Sequence, residues 1–127
     1  MLNIKGDKLM SEQNQYSLIV TIVKKGWGDK VVNASRKAGA KGGTILYGRG
    51  TGVHENKSLL GLMIEPEKEI VLTIVEAKIA DKIVEAIKDS IGINEPGCGI
   101  GFIVPLESIF GTAQITCSSY CLINDEK

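Results

Sequence analysis

"GGTILYGRGTGVHENKSLLGLMIEPEKEIVLTIV", residues 42–75, holds two apolar strand-like runs with no helix between them. The first, "GTILYG" (43–48), is short and closed by glycine at both ends. The last, "EIVLTIV" (69–75), is rich in β-branched residues and reads as a buried strand. Residues 51–69 between them carry charges and a single proline and do not build a core. Strand follows strand here, so the chain is not a simple alternation of strands and helices.

The flanks complete the pattern. Upstream, "YSLIVTIV" (16–23) is nearly all apolar and suits a central strand. After a turn at Lys24–Gly26, apolar residues recur at Trp27, Val31, Ala34 and Ala38, one face of a helix. Asp29 stands in its first turn and Gly39 supplies a left-handed stop. Downstream, Ile79, Ile83, Ala86, Ile87 and Ile91 predict a second amphipathic helix closed by Gly92. "GFIVPL" (101–106) is the fourth strand, with Pro105 near its end because proline cannot donate into a ladder.

The order strand, helix, strand, strand, helix, strand is the split βαβ, or ferredoxin-like, arrangement. This α+β class has a four-stranded antiparallel sheet, two helices on one face, and here a long loop between strands two and three. The other face is left bare. Strands this apolar need cover on both sides, which predicts association through the open face. Residues 1–15 read as a mobile extension, 16–112 as the domain with its loop at 53–68, and 113–127 as a tail.

The composition narrows the function classes. A chain of 127 residues with 43% hydrophobic and 24% charged residues fits one soluble core. Fifteen basic and fifteen acidic residues give no electrostatic reason to expect nucleic acid or an anionic membrane as partner. No apolar run approaches the roughly 20 residues of a membrane span. The N-terminus lacks the apolar centre of a signal peptide, so the expected location is the cytoplasm. Three cysteines, Cys98, Cys117 and Cys121, argue against a disulfide framework there, and Cys117 and Cys121 read as reduced thiols or, alternatively, as a redox-sensitive pair in the tail. With one histidine, His54, and no C-x-x-C, no metal site is expected within one chain. Nor is there a nucleophile–base pairing, so no catalytic residues are assigned and the protein is not expected to be an enzyme.

What remains is glycine. Gly48, Gly50 and Gly52 alternate along one stretch, and Gly97, Gly99 and Gly101 along another. Alternate glycines let a main chain approach an anion and offer it successive N–H groups, or they simply make bulges and turns at sheet ends. Neither stretch is a P-loop or a G-x-G-x-x-G fingerprint. Both are expected at the ends of neighbouring strands, as two nests facing one cleft.

From about Ser17 to Leu106 the chain resembles the P-II family of nitrogen-regulatory signal proteins, in its broader P-II-like branch. The resemblance lies in Lys24 after "LIVTIV", "GAKGGT" at 39–44, "GTG" at 50–52, a T-loop at 53–68 and "GCGIGFIV" at 97–104. It implies a homotrimer with the bare sheet faces inward and an adenine nucleotide in each cleft between subunits. Carried over, Gly50, Thr51 and Gly52 line the phosphates, and Thr73, Ile74 and Val75 border the base. Gly97, Cys98 and Gly99 approach the phosphates from the second nest, and Gly42, Gly43 and Thr44 come from the adjacent subunit. The regulated partner implied is a membrane transporter or an enzyme of nitrogen or carbon metabolism, reached through the loop.

The chain departs from the family pattern in ways that bear on the ligand. Ile100 stands where the pattern has a phosphate-neutralising lysine, and "ESIFGTAQIT" (107–116) lacks the usual pair of arginines. Phosphate charge then falls to main-chain N–H groups and Arg49, which makes ADP, AMP or a cyclic nucleotide as acceptable as ATP. The nucleotide is expected as an effector, with no obligate cofactor. His54 and Glu55 lie near the place of the glutamine that serves magnesium and 2-oxoglutarate, so 2-oxoglutarate is not carried over. No tyrosine lies between Val53 and Glu69, so a uridylylated loop tyrosine is unsupported. The apolar run Ser58, Leu59, Leu60, Leu62 and Met63, with His54 before it, reads either as a partner-binding anchor or as packing against the trimer body. An alternative reading is a metal-responsive trimer resembling the divalent-cation tolerance proteins; another is an enzyme built on the same sheet.

Overall fold

In a computed structural model of the chain, β1 (Tyr16–Lys24) leads to α1 (Gly28–Lys37) and β2 (Thr44–Arg49). Two short strands, β3 (Lys57–Leu59) and β4 (Leu62–Ile64), precede β5 (Glu67–Glu76), α2 (Ala80–Ile91) and β6 (Gly99–Leu106). The structure describes residues 15–51, 57–59, 62–64, 66–95 and 97–111. The main sheet is antiparallel with order β2-β5-β1-β6, and the two helices lie on one face, as the ferredoxin-like reading requires. The loop stretch, expected to have no regular structure, contains a hairpin: Lys57 pairs with Ile64 and Leu59 with Leu62.

The sheet's core face explains the apolar runs. Ile19 and Val23 of β1 alternate with Val71 and Val75 of β5 toward the helices. α1 sends Val31 into this layer, and α2 sends Ala80, Ile83, Ile87 and Ile91, spaced three and four apart along one stripe. Gly92 ends α2 in the left-handed conformation, with its N–H donating to the Lys88 carbonyl at 2.9 Å. Gly39, also at positive φ, ends α1.

The opposite face carries no helix and is apolar. Leu46, Ile74, Ile100, Phe102 and Val104 are all exposed on it, Ile100 by 60% and Phe102 by 47%. Cross-strand register places Val20 between Leu72 and Phe102, and Ile22 between Ile70 and Ile100, so these side chains form one continuous patch. Monomeric soluble domains rarely leave a surface of this kind open.

Candidate functional site

β5 and β1 are the two inner strands, and that order determines where the glycine stretches fall. Gly50 and Thr51 end β2, at one outer edge of the sheet, and Gly97–Gly99 open β6 at the other. Both lie at the same end, because Arg49 pairs with Glu67, Lys68 with Lys24, and Gly99 with Val23. They are not on neighbouring strands, however. Three strand spacings of about 4.8 Å separate them, roughly 14 Å across the sheet. The expectation of two adjacent nests is corrected here; periodicity identifies strands but does not order them.

A third group lies elsewhere. Gly42, Gly43 and Thr44 start β2 at the far end, roughly 20 Å along the strand from Gly50. There they meet β5, with Thr44 opposite Leu72. A Cβ on Gly43 would lie 3.5 Å from Thr73 Oγ1, so Thr73 belongs to this corner. The side chains of Thr73 and Val75 are fully buried toward the helices, and only Ile74, 36% exposed, offers its side chain on the bare face. The Thr73 hydroxyl has no hydrogen-bond partner among the described residues. Of the predicted partner-loop residues, Ser58 and Leu59 fall in β3, and Leu62 and Met63 in β4. Gly52, His54 and Leu60 lie outside the described residues, as do Cys117 and Cys121.

The main-chain N–H groups are less available than alternate glycines suggest. Gly50 N–H donates to the Pro66 carbonyl at 3.1 Å, closing the base of the loop, and Cys98 N–H donates to the Glu95 carbonyl at 3.2 Å. Space is the clearer signal. A Cβ on Gly42 would meet nothing within 4 Å, and one on Gly50 would only touch the Lys68 stem at 4.0 Å. Neither residue is at positive φ. The chain's own packing therefore gives no reason for glycine at these two positions.

Two other glycines are demanded by the fold. Gly99 has φ +144, and a Cβ there would run into the Ile22 carbonyl of β1. Gly28 would collide with the Glu69 carboxylate, which sequence reasoning missed. Glu69 is 7% exposed and accepts the N–H of Gly26 at 2.7 Å and of Gly28 at 2.8 Å. It thereby caps α1, whose own N-cap residue, Trp27, has no capping side chain.

At the loop base Lys25 and Glu67 form an ion pair at 2.6 Å, both side chains well exposed. Its hydrogen bond and charge raise Lys25 above its ordinary pKa and lower Glu67, with a smaller lowering from Arg49. The Lys25 contribution is full below the ordinary lysine pKa and is lost as pH rises through the raised value. The Glu67 contribution is full above the ordinary carboxylate pKa and is lost as pH falls through the lowered one. Exposure keeps both small. Among the described residues no three His, Cys, Asp or Glu side chains gather to hold a metal, and no helix is long and apolar enough to cross a membrane.

The family model for nitrogen regulatory protein P-II matches residues 16–112. The chain belongs to the P-II family. No curated protein matches the sequence. Among solved structures, the Arabidopsis thaliana PII protein bound to citrate is similar in fold, with a TM-score of 0.58 and 20% identity. The match covers 74% of this chain and 79% of that one. P-II proteins are regulatory signal transducers. The glycine segments occupy three separate corners of this subunit.

Proposed function

We propose that this chain is a P-II-type sensor whose site is completed only between subunits. Three copies bury the bare sheet faces against one another, and each cleft takes an adenine nucleotide. One copy contributes the loop base at Gly50–Thr51–Gly52 and the Gly97–Cys98–Gly99 turn. Its neighbour contributes Gly42, Gly43 and Thr44. The nucleotide sets the exit of the 53–68 loop, which docks on a target protein in the cytoplasm, a transporter or a metabolic enzyme. The chemistry is binding rather than catalysis.

The observation that carries this reading is the pair of glycines, Gly42 and Gly50, whose missing side chains the subunit itself does not require. A close approach from outside, by ligand or neighbouring chain, accounts for both. The exposed Leu46, Phe102 and Ile100 support the association, and the citrate held by the Arabidopsis protein supports a polyanion as ligand.

Assembly is tested by sedimentation. The protein should run at three times 13.6 kDa at micromolar concentration. Phe102→Asp places a charge in the middle of the bare face and should give folded monomers. A wild-type monomer would remove the cleft and the site with it.

Ligand binding is tested by calorimetry with ATP, ADP and AMP, with citrate as a plain polyanion. Micromolar or weaker binding of the nucleotides is expected, without clear preference for ATP, because the phosphate-neutralising lysine and arginines are absent. Gly50→Val and Gly42→Val should leave thermal stability nearly unchanged, since neither new Cβ meets anything closer than 4 Å. Each should weaken nucleotide binding by about tenfold or more. Full affinity in both variants would reduce these glycines to turn-makers.

A further inference from the structure

Where β2 ends and β5 begins, an open hollow of about 560 Å³ is lined by Lys25, Tyr47, Gly48, Arg49, Glu67 and Lys68. Two of its cations are exposed and come from different elements, Lys25 from the turn after β1 and Arg49 from the end of β2. The strand order β2-β5-β1 puts Glu67 between them. Its carboxylate is paired to Lys25 at 2.6 Å and stands opposite Arg49 in the β2–β5 register. Arg49 makes no ion pair of its own among the described residues. Lys25, and Arg49 more weakly, hold the Glu67 carboxyl below the ordinary carboxylate range, so it is an anion at neutral pH.

We propose that Glu67 is an internal competitor for an anion site made by Lys25 and Arg49, a site that takes the phosphate chain of a nucleotide. A single carboxylate can pair closely with only one of the two cations, whereas a polyphosphate can meet both. The pair it must break is well exposed and therefore weak, so displacing it costs little. Until it moves, the Glu67 charge repels the incoming anion. The position also gives displacement a consequence. Glu67 is the first residue of β5, directly after Pro66, whose carbonyl accepts the Gly50 N–H at the loop base. Ligand charge is thus read where the chain re-enters the sheet. The nucleotide as source of that charge rests on the function proposed above; the response of the hollow to a plain polyanion does not.

Calorimetry at low ionic strength on the full chain, with ATP and with inorganic tripolyphosphate, decides it. Glu67→Gln keeps the side chain's shape and removes its charge, and it should tighten both ligands by about fivefold. Adding Arg49→Gln to that variant should abolish the gain. Glu76→Gln removes a carboxylate from the other end of the same strand, roughly 30 Å away. There Glu76 pairs with Lys78 at 3.2 Å, and its loss should leave both affinities unchanged. Tightening of tripolyphosphate with no nucleotide bound by any variant would uphold the anion site and overturn the nucleotide reading. ATP affinity and tripolyphosphate affinity both unchanged in Glu67→Gln would overturn the competitor and leave that reading standing. An equal gain in Glu76→Gln would also overturn it, since net charge alone would then be responsible, as would a Glu67→Gln chain that binds no tripolyphosphate.

Discussion

Gly99→Val is expected to lower the thermal midpoint by roughly 15 °C, for a loss of about 4 kcal/mol. The new Cβ would run into the Ile22 carbonyl, and a β-branched residue strongly resists φ +144. Both penalties fall at the first residue of β6, so the strand should detach from β1 at that end. Gly97→Ala, two residues earlier, is the control. It too has positive φ, at +79, but its Cβ would meet nothing within 4 Å. It should cost only about 1 kcal/mol. Equal losses in a thermal melt would mean that backbone angle alone, rather than contact with β1, requires glycine at position 99.

Glu69→Ala should cost about 3 kcal/mol, or roughly 10 °C in midpoint. Two charge-assisted hydrogen bonds disappear, and the N–H groups of Gly26 and Gly28 lose the carboxylate that satisfies them. Glu69→Gln keeps one acceptor and should lose about half as much. Glu67→Ala, which removes an exposed carboxylate two residues away on the same strand face, should change the midpoint little. If Glu69→Ala melts with the wild type, α1 does not depend on this cap.

These two positions mark the limit of what the sequence discloses. Local spacing announced both helices and their ends, since Val31 and Ala38, or Ile83, Ile87 and Ile91, need only their own turn to be read. The run from Tyr16 to Val23 announced a strand buried on both faces. Nothing local announced that Glu69 would reach a helix 41 positions earlier, because a lone glutamate at a strand edge looks like a solvated one. Strand order was hidden for the same reason. Gly50 and Gly99 each read as a strand end, but only the pairing of β1 with both β5 and β6 shows them at opposite edges. The hairpin that pairs Lys57 with Ile64 left no comparable trace, because the stretch offers none of the Asn-Gly, Asp-Gly or glycine-first pairs that announce a tight turn. Of the candidate site, sequence marked the glycines, but only the space around each one separates those the fold requires from those it leaves free.

The central position of β1 has a consequence for how the protein comes into being on the ribosome. β1 is the first strand to be made, and its partners are the last long strands. Lys24 must wait for Lys68, and Tyr16 must wait for Leu106. Throughout that interval the most apolar stretch of the chain is synthesised but unpaired, with α1 as its only early cover. Contacts this distant in sequence slow folding and prolong exposure to misassociation. An unfinished chain holds a strand whose partners do not yet exist. Any pause in translation before residue 67 therefore lengthens the time during which β1 depends on chaperones rather than on its own sheet.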